Sequence, residues 1–97
     1  MNIDKKLLAS IIKILKKYDI EKAVLFGSRA RGDNRENSDI DIAFYTDNKE
    51  IFHFLKDEMD QIDTILKIDL FDAKNIKKQP LLDGIKKDGI IIYENHS

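Results

Sequence analysis

Cysteine and tryptophan are absent from this 97-residue sequence, and proline occurs only once. The lack of cysteine excludes disulfides, thiolate zinc sites and thiol nucleophiles. No apolar run approaches the length of a membrane span, and no apolar segment typical of a signal peptide follows Met1. We therefore expect a cytoplasmic protein that does not associate with membranes.

The chain also has little net charge. It carries 17 basic and 18 acidic residues, which gives a formal charge of −1. Because no overall positive field attracts phosphate backbones, we do not expect direct binding of polymeric nucleic acid. A length of 97 residues with 42% hydrophobic content fits one compact domain spanning residues 1–97.

Arginine is scarce and unevenly placed. All three arginines lie between residues 29 and 35, whereas the remaining basic residues are lysines spread along the chain. A guanidinium binds phosphate through two parallel hydrogen bonds, so this local choice favours a phosphate site. A solvated loop is the alternative interpretation.

The stretch around these arginines has the pattern of a nucleotide site. Residues 24–26 form an apolar run, typical of a buried strand, that ends at Gly27 and Ser28. Gly27 lets the backbone approach a ligand closely, and Ser28 adds a hydroxyl donor. A helix that begins here with Arg29 and Arg31 would direct free N–H groups toward the same point. A phosphate fits this arrangement.

Two carboxylates follow on a predicted strand. Asp39 and Asp41 are separated by one residue, so both project to the same side, while Ile40 and Ile42 project toward the expected core. Like charges this close require a cation, and hard oxygen donors suit Mg²⁺ bound jointly with phosphates. The pattern therefore indicates metal-assisted phosphoryl or nucleotidyl transfer. An Asp-rich hairpin with a solvated loop is the alternative.

A third carboxylate is predicted on a later strand. Ile68 and Leu70 continue the apolar face, which turns Asp69 toward the side of the two earlier carboxylates. A charge within an apolar strand is costly to bury unless it is paired or bound to metal. Asp72 is the alternative, although capping of the next helix explains it. Ser38, in the polar loop before the first carboxylate, either caps its own turn or contacts substrate.

Hydrophobic periodicity predicts alternating helices and strands. Asn2, and a pair formed by Asp47 and Glu50, are the expected N-caps of the first two long helices. Residues 94–97 are expected to fray. We expect an α/β (α+β) fold, with a mixed four-stranded sheet and helices packed on one face. The predicted helices are 3–18, a turn at Ser28, 52–66 and 81–85, and the predicted strands are 24–26, 40–45, 67–71 and 89–93.

The motif resembles a known signature. Gly27-Ser28, ten intervening residues and Asp39-Ile40-Asp41 are similar to the signature of the nucleotidyltransferase superfamily related to DNA polymerase beta. At this length the chain resembles the minimal nucleotidyltransferase (MNT) proteins, which are antitoxins that act beside HEPN-domain toxins. The resemblance covers most of residues 22–93, although only residues 27–41 and Asp69 are specific to it, and it implies the nucleotidyltransferase fold.

The resemblance also implies an activity. AMP is transferred from ATP to a hydroxyl, with a tyrosine of the HEPN RNase toxin as acceptor, in a hetero-oligomer of the two proteins. Alternatives that remain open are an antitoxin that acts by binding alone and a small-molecule nucleotidyltransferase. The implied catalytic residues and ligands of one or two Mg²⁺ ions are Asp39, Asp41 and Asp69, and the implied nucleotide-binding residues are Gly27, Ser28, Arg29, Arg31 and Ser38.

Overall fold

The computed structural model describes residues 1–95 of the chain. None of the helices within these residues has the length and apolar character needed to cross a membrane. A 3₁₀ turn at Ala73–Asn75 lies between the third strand and the last helix. In chain order the other elements are α1 (Lys5–Lys17), β1 (Lys22–Phe26), α2 (Ser28–Arg31), β2 (Ile40–Tyr45), α3 (Ile51–Asp60), β3 (Ile68–Asp72), α4 (Gln79–Asp88) and β4 (Ile90–Glu94).

The strands form one mixed sheet in the order β3-β2-β1-β4. β1 runs antiparallel to both β2 and β4, whereas β2 and β3 are parallel. The parallel pair requires a crossover connection, and α3 supplies it. The predicted fold class, an α/β (α+β) arrangement of a mixed four-stranded sheet with helices, is confirmed.

One face of the sheet carries the main core. Alternation along β2 turns Ile40, Ile42 and Phe44 to this face, where all three are fully buried. α1 and α3 cover them with apolar stripes at helical spacing, as the sequence predicted. The helix residues in this core include Leu7, Ile11, Leu15, Leu55 and Met59.

The second face of the sheet is only partly open. Val24, Phe26 and Ala43 project to it, and Ile85 of α4 packs on them. The sequence had predicted helices on one face alone, so the position of α4 is a correction to that detail. α4 covers the part of this face nearest β1 and leaves the part formed by β2 and β3 for other contacts.

α4 is longer than the short segment that the sequence predicted. It runs over Gln79–Asp88 because Pro80 lies in the first turn, where the missing N–H has no helical partner to lose. The helix is followed by Gly89, at which a Cβ would lie 2.6 Å from Val24 Cγ1. Gly89 therefore lets the end of α4 lie directly against β1.

The first helix begins at a different cap from the predicted one. Asp4 caps α1, since its Oδ2 accepts a hydrogen bond of 3.0 Å from the Leu7 N–H. Asn2 donates through its side chain to Asn34 Oδ1 at 3.0 Å instead. The prediction of Asn2 as the N-cap is therefore wrong, and Asn2 ties the N-terminal segment to the loop before β2.

The third helix also differs from its prediction. Within residues 1–95 the Glu50 side chain makes no capping hydrogen bond, and Asp47 pairs with Lys74 at 2.6 Å. The predicted capping box is therefore wrong. α3 ends at Asp60, although Leu66 beyond it still packs on the core. The apolar spacing thus continued past the helix into a turn.

The predicted fraying of residues 94–97 is wrong for the first two of them. Glu94 belongs to β4, and the Asn95 N–H donates to the Glu21 carbonyl oxygen at 2.9 Å. Residues 96 and 97 lie outside the described residues.

Candidate active site

Two neighbouring parallel strands bring acidic side chains together on the second face of the sheet. Asp41 of β2 stands beside Asp69 of β3 in the parallel register. Asp39 is two residues before Asp41, so the alternation of side chains puts it on the same side. Asp39 is exposed, Asp41 is partly buried, and the Asp69 side chain is 26% exposed. The structure thus gathers the three carboxylates on the side that the sequence predicted.

The electrostatics of this face centre on Asp41. Partial burial, and then the charges of Asp69 and Asp39, raise the pKa of the Asp41 carboxyl above its ordinary value. A cation between these carboxylates would stabilise them, and hard oxygen donors of this kind fit Mg²⁺. Within residues 1–95 no three acidic or histidine side chains already stand at metal-ligand spacing.

Gly27 lies at the end of β1, next to these carboxylates. Its φ is 78°, in the region that favours glycine. A Cβ at this position would lie 2.7 Å from Asp41 Oδ2. Gly27 is therefore needed for the close approach of the Asp41 carboxylate to the turn, in addition to any approach of a ligand.

Ser28 begins α2, which is a single turn of four residues. The Gly27 carbonyl oxygen accepts hydrogen bonds of 3.1 Å from the N–H groups of Ala30 and Arg31. The turn closes where Gly32, in the left-handed conformation, donates its N–H to the Ser28 carbonyl oxygen at 2.8 Å. The structure thus contains the predicted helical turn, and half-buried Ser28 directly follows the glycine beside Asp41.

Arg29 occupies a different environment from the one expected of a phosphate ligand. Its side chain is buried, with 6% of the residue exposed. The guanidinium donates to the backbone carbonyl oxygens of Ser38 at 2.9 Å, Asn2 at 3.1 Å and Glu36 at 3.1 Å. Arg29 therefore fixes the loop that leads into β2, and its three nitrogens are engaged in that role.

Arg31 and Ser38 also have protein partners. Arg31 is exposed, and its guanidinium pairs with Asp33 at 3.0 Å and with Asp88 at 2.9 Å. The Ser38 hydroxyl accepts a hydrogen bond of 2.9 Å from the Arg35 N–H, which closes a turn of the loop. Of the two, only Arg31 has a solvent-exposed side chain that is able to exchange its partners for a phosphate.

Asp72, the alternative third carboxylate, lies on the other side of β3. It stands beside Phe44 in the parallel register, and Phe44 faces the main core. Asp72 Oδ2 accepts a hydrogen bond of 2.6 Å from the Asn75 side chain. Among residues 1–95, its Oδ1 is a buried oxygen without a hydrogen-bond partner. The register therefore places Asp69, and not Asp72, with the other two carboxylates.

Lys67 is a residue of this face that the sequence analysis did not single out. Its Nζ lies 3.5 Å from Asp69 Oδ1, and its side chain is 72% exposed. The available signal was the spacing, because residues two apart on a strand share a face. A lysine at the edge of a predicted strand is so common that the spacing alone did not distinguish it.

A cleft of about 510 Å³ lies on a different part of the surface. It is bordered by the start of α1, the loop before β2 and the segment before β3. Within the described residues, its lining includes neither Gly27 nor Asp41 nor Asp69. The acidic site therefore lies outside this cleft.

The sequence as a whole identifies the family to which this fold and site belong. The profile of the family described as Polymerase beta, Nucleotidyltransferase matches residues 9–97. The chain therefore belongs to the polymerase beta nucleotidyltransferase family. This confirms the expected class of transferase and the expected nucleotidyltransferase fold.

Particular relatives share most of the chain. A protein of Methanocaldococcus jannaschii with the provisional name protein adenylyltransferase MJ1379 is 37% identical over 93 residues, which are 91% of this chain and 93% of that protein. A crystal structure of a toxin-antitoxin with AMP-PNP matches with a TM-score of 0.73 and 24% identity, over 92% of this chain and 74% of that chain. The toxin-antitoxin MntA-HepT matches with a TM-score of 0.68 and 21% identity, over 95% and 74%. At these identities the structural likeness establishes the fold alone.

Proposed function

We propose that this chain is an antitoxin that transfers AMP from ATP to a hydroxyl, that of a tyrosine, on a HEPN-domain RNase toxin in the cytoplasm. The observation that carries the proposal is the grouping of Asp39, Asp41 and Asp69 on one open surface. The adenylyltransferase name of the MJ1379 relative supports AMP as the transferred group. The fold likeness to MntA-HepT supports a toxin as the partner.

The three carboxylates would hold one or two Mg²⁺ ions. When bound, Mg²⁺ would offset the charge of the triphosphate and orient it. Asp41 is the central ligand, because it stands between Asp69 and the turn at Gly27. The retention of three neighbouring carboxylates favours catalysis over binding alone, since their repulsion has no benefit in a protein that only binds.

The residues near the carboxylates have different roles, either in binding the nucleotide or in fixing the loop before β2. Gly27 and Ser28 hold the β and γ phosphates through backbone N–H groups and the Ser28 hydroxyl. Arg31 exchanges its exposed ion pairs for the leaving phosphates. We assign Arg29 and Ser38 to fixing the loop, and not to nucleotide contact, because their polar groups already bind the loop backbone.

The transfer step follows from these positions. The acceptor hydroxyl oxygen forms a bond to the α phosphorus of ATP. The bond between this phosphorus and the oxygen that bridges the α and β phosphates breaks, and pyrophosphate leaves with that oxygen. Asp69 accepts the hydroxyl proton as a general base. Asp69 suits this part because β3 is an edge strand of the sheet, where an acceptor has room to approach.

A transfer assay tests the proposal. The purified protein is mixed with the HEPN protein encoded by the neighbouring gene, ATP labelled on its α phosphate, and Mg²⁺. We expect label on a tyrosine of the toxin. We expect Asp41→Asn or Asp69→Asn to reduce labelling by at least about 100-fold, because loss of a metal ligand should cost more than the roughly 10–100-fold lost with a residue that only orients a ligand. Tryptic mass spectrometry locates the modified residue.

Asp72→Asn is the matched control, because it makes the same change on the same strand but on the opposite face. Labelling that falls equally in Asp69→Asn and Asp72→Asn would contradict the assignment of the third carboxylate. If Asp41→Asn still neutralises the toxin in cells, the antitoxin acts by binding alone. If label appears only on a small hydroxylated molecule, the protein is a small-molecule nucleotidyltransferase.

A further inference from the structure

Lys67 stands within the same patch as the three carboxylates. The register of the parallel strands pairs Ile40 with Ile68, so Lys67, one residue before this pair, is beside Asp39. The hydrogen bond of 2.9 Å from the Ile40 N–H to the Lys67 carbonyl oxygen fixes that neighbourhood. Lys67 is also two residues before Asp69 and shares its face. The patch is therefore two pairs of residues on neighbouring strands, with three negative charges and one positive charge.

The other cations near this face are engaged elsewhere. Arg29 binds loop carbonyls, Arg31 pairs with two aspartates outside the patch, and Lys22 lies 4.6 Å from the ring centre of Tyr45. Among the ion pairs of residues 1–95, the pair that reaches the patch is Lys67 with Asp69, at 3.5 Å. Lys67 is thus the positively charged side chain of the acidic patch itself.

We propose that Lys67 is a tethered counter-ion that competes with a divalent cation for Asp69. Its ammonium is at the end of a flexible stem and the side chain is 72% exposed, so it leaves Asp69 with little loss of packing. While it stays, it lowers the attraction of the patch for a free metal ion. This inference rests on the proposed metal site.

The test measures metal binding without nucleotide. Mn²⁺ is titrated into the protein at an ionic strength of about 0.1 M, and free Mn²⁺ is followed by electron paramagnetic resonance. We expect Lys67→Gln to bind Mn²⁺ about five-fold more tightly than the wild type, because a unit charge about 5 Å from a divalent ion has an effect of that order once salt screens it. Lys67→Arg keeps the charge and is expected to stay close to the wild type.

Lys56→Gln is the matched control for total charge. Lys56 is likewise exposed and paired, with Asp60 at 3.7 Å, but it lies on α3 over the other face of the sheet. Screening over about 10 Å makes its effect small, below about 1.5-fold. An affinity gain in Lys67→Gln no larger than that in Lys56→Gln would overturn the inference.

A double variant shows whether Lys67 acts through Asp69. In the Asp69→Asn background, Lys67→Gln is expected to change Mn²⁺ affinity by less than about two-fold, because the carboxylate for which Lys67 and the metal ion compete is gone. An undiminished gain would overturn the inference. Absence of Mn²⁺ binding in both the wild type and Lys67→Gln would also overturn it, whereas the transfer assay decides the proposed function separately.

Discussion

The two faces of β2 differ sharply although they belong to one strand. Ile40, Ile42 and Phe44 on one face are fully buried under α1 and α3. On the other face Asp41 stands beside Asp69, and partial burial and then the neighbouring carboxylate charges raise the pKa of the Asp41 carboxyl. Neighbouring residues of one strand thus differ, because Ile40 and Ile42 stabilise the fold whereas the charge of Asp41 between them lowers its stability at neutral pH.

The largest effect is expected in the core. Phe44→Ala should lower the free energy of unfolding by about 3–5 kcal/mol, because it leaves a large cavity under two helices. Urea unfolding followed by circular dichroism measures this change. Ile91→Ala is the comparison, since Ile91 is 53% exposed on β4 and its truncation should cost about 1 kcal/mol. Equal losses in the two variants would show that the buried face is not the main core.

An intermediate effect is expected at the turn beside the carboxylates. Gly27 and Gly32 both have positive φ, but only Gly27 has Asp41 in the path of a Cβ. Each change to Ala adds backbone strain of about 1–2 kcal/mol, and Gly27→Ala also displaces the Asp41 carboxylate. We expect Gly27→Ala to lose at least about ten-fold more transfer activity than Gly32→Ala. Matching activity losses would mean that strain, and not the contact with Asp41, explains the need for glycine.

The smallest effect is a gain in stability. Because the pKa of Asp41 is raised in the folded protein, its contribution is fully present below the unfolded pKa of about 3.9 and is lost as the pH rises through the folded pKa. Asp41→Asn should therefore raise the free energy of unfolding at pH 7, by no more than about 1 kcal/mol because solvent screens the charges around this partly exposed carboxylate, and leave it nearly unchanged at pH 3. Urea unfolding in the presence of EDTA at both pH values measures the difference.

Asp57→Asn is the control for this prediction, because Asp57 is an exposed carboxylate of α3 on the opposite side of the sheet. Its substitution should change the free energy of unfolding by less than about 0.5 kcal/mol at either pH. A destabilised Asp41→Asn protein at pH 7 would contradict the claim that the acidic face opposes folding.

Local patterns in the sequence were sufficient to predict the sheet and the grouping of its carboxylates. Side chains alternate along a strand, so apolar residues at 40, 42 and 68 also fix the direction of Asp39, Asp41 and Asp69. Asp69 is distinguished from Asp72 by the same parity. These inferences depend on neighbours within a few residues, and for that reason the sequence alone supports them.

Contacts between distant segments were not predictable in this way. The carbonyl groups that Arg29 binds belong to residues 2, 36 and 38. No spacing of residues in the sequence predicts that these three groups surround one side chain. The predicted helix begins at residue 81, after Pro80, whereas α4 includes Pro80 in its first turn, a position that proline also favours. Packing of Ile85 on the second face of the sheet stabilises the longer helix. The exposed ion pair of Lys67 with Asp69 was likewise not predictable, because the place of Lys67 beside the carboxylates depends on the register of β3 against β2.

The position of α4 has a consequence for the direction from which substrates arrive. Ile85 and Gly89 hold this helix against β1, so it screens that half of the acidic face. Under the proposed function, a protein segment that offers a hydroxyl would therefore approach over the outer edge of the sheet, at β3. Moving inward from that edge it would reach Asp69, the proposed proton acceptor, before Asp41, the proposed central ligand of the metal.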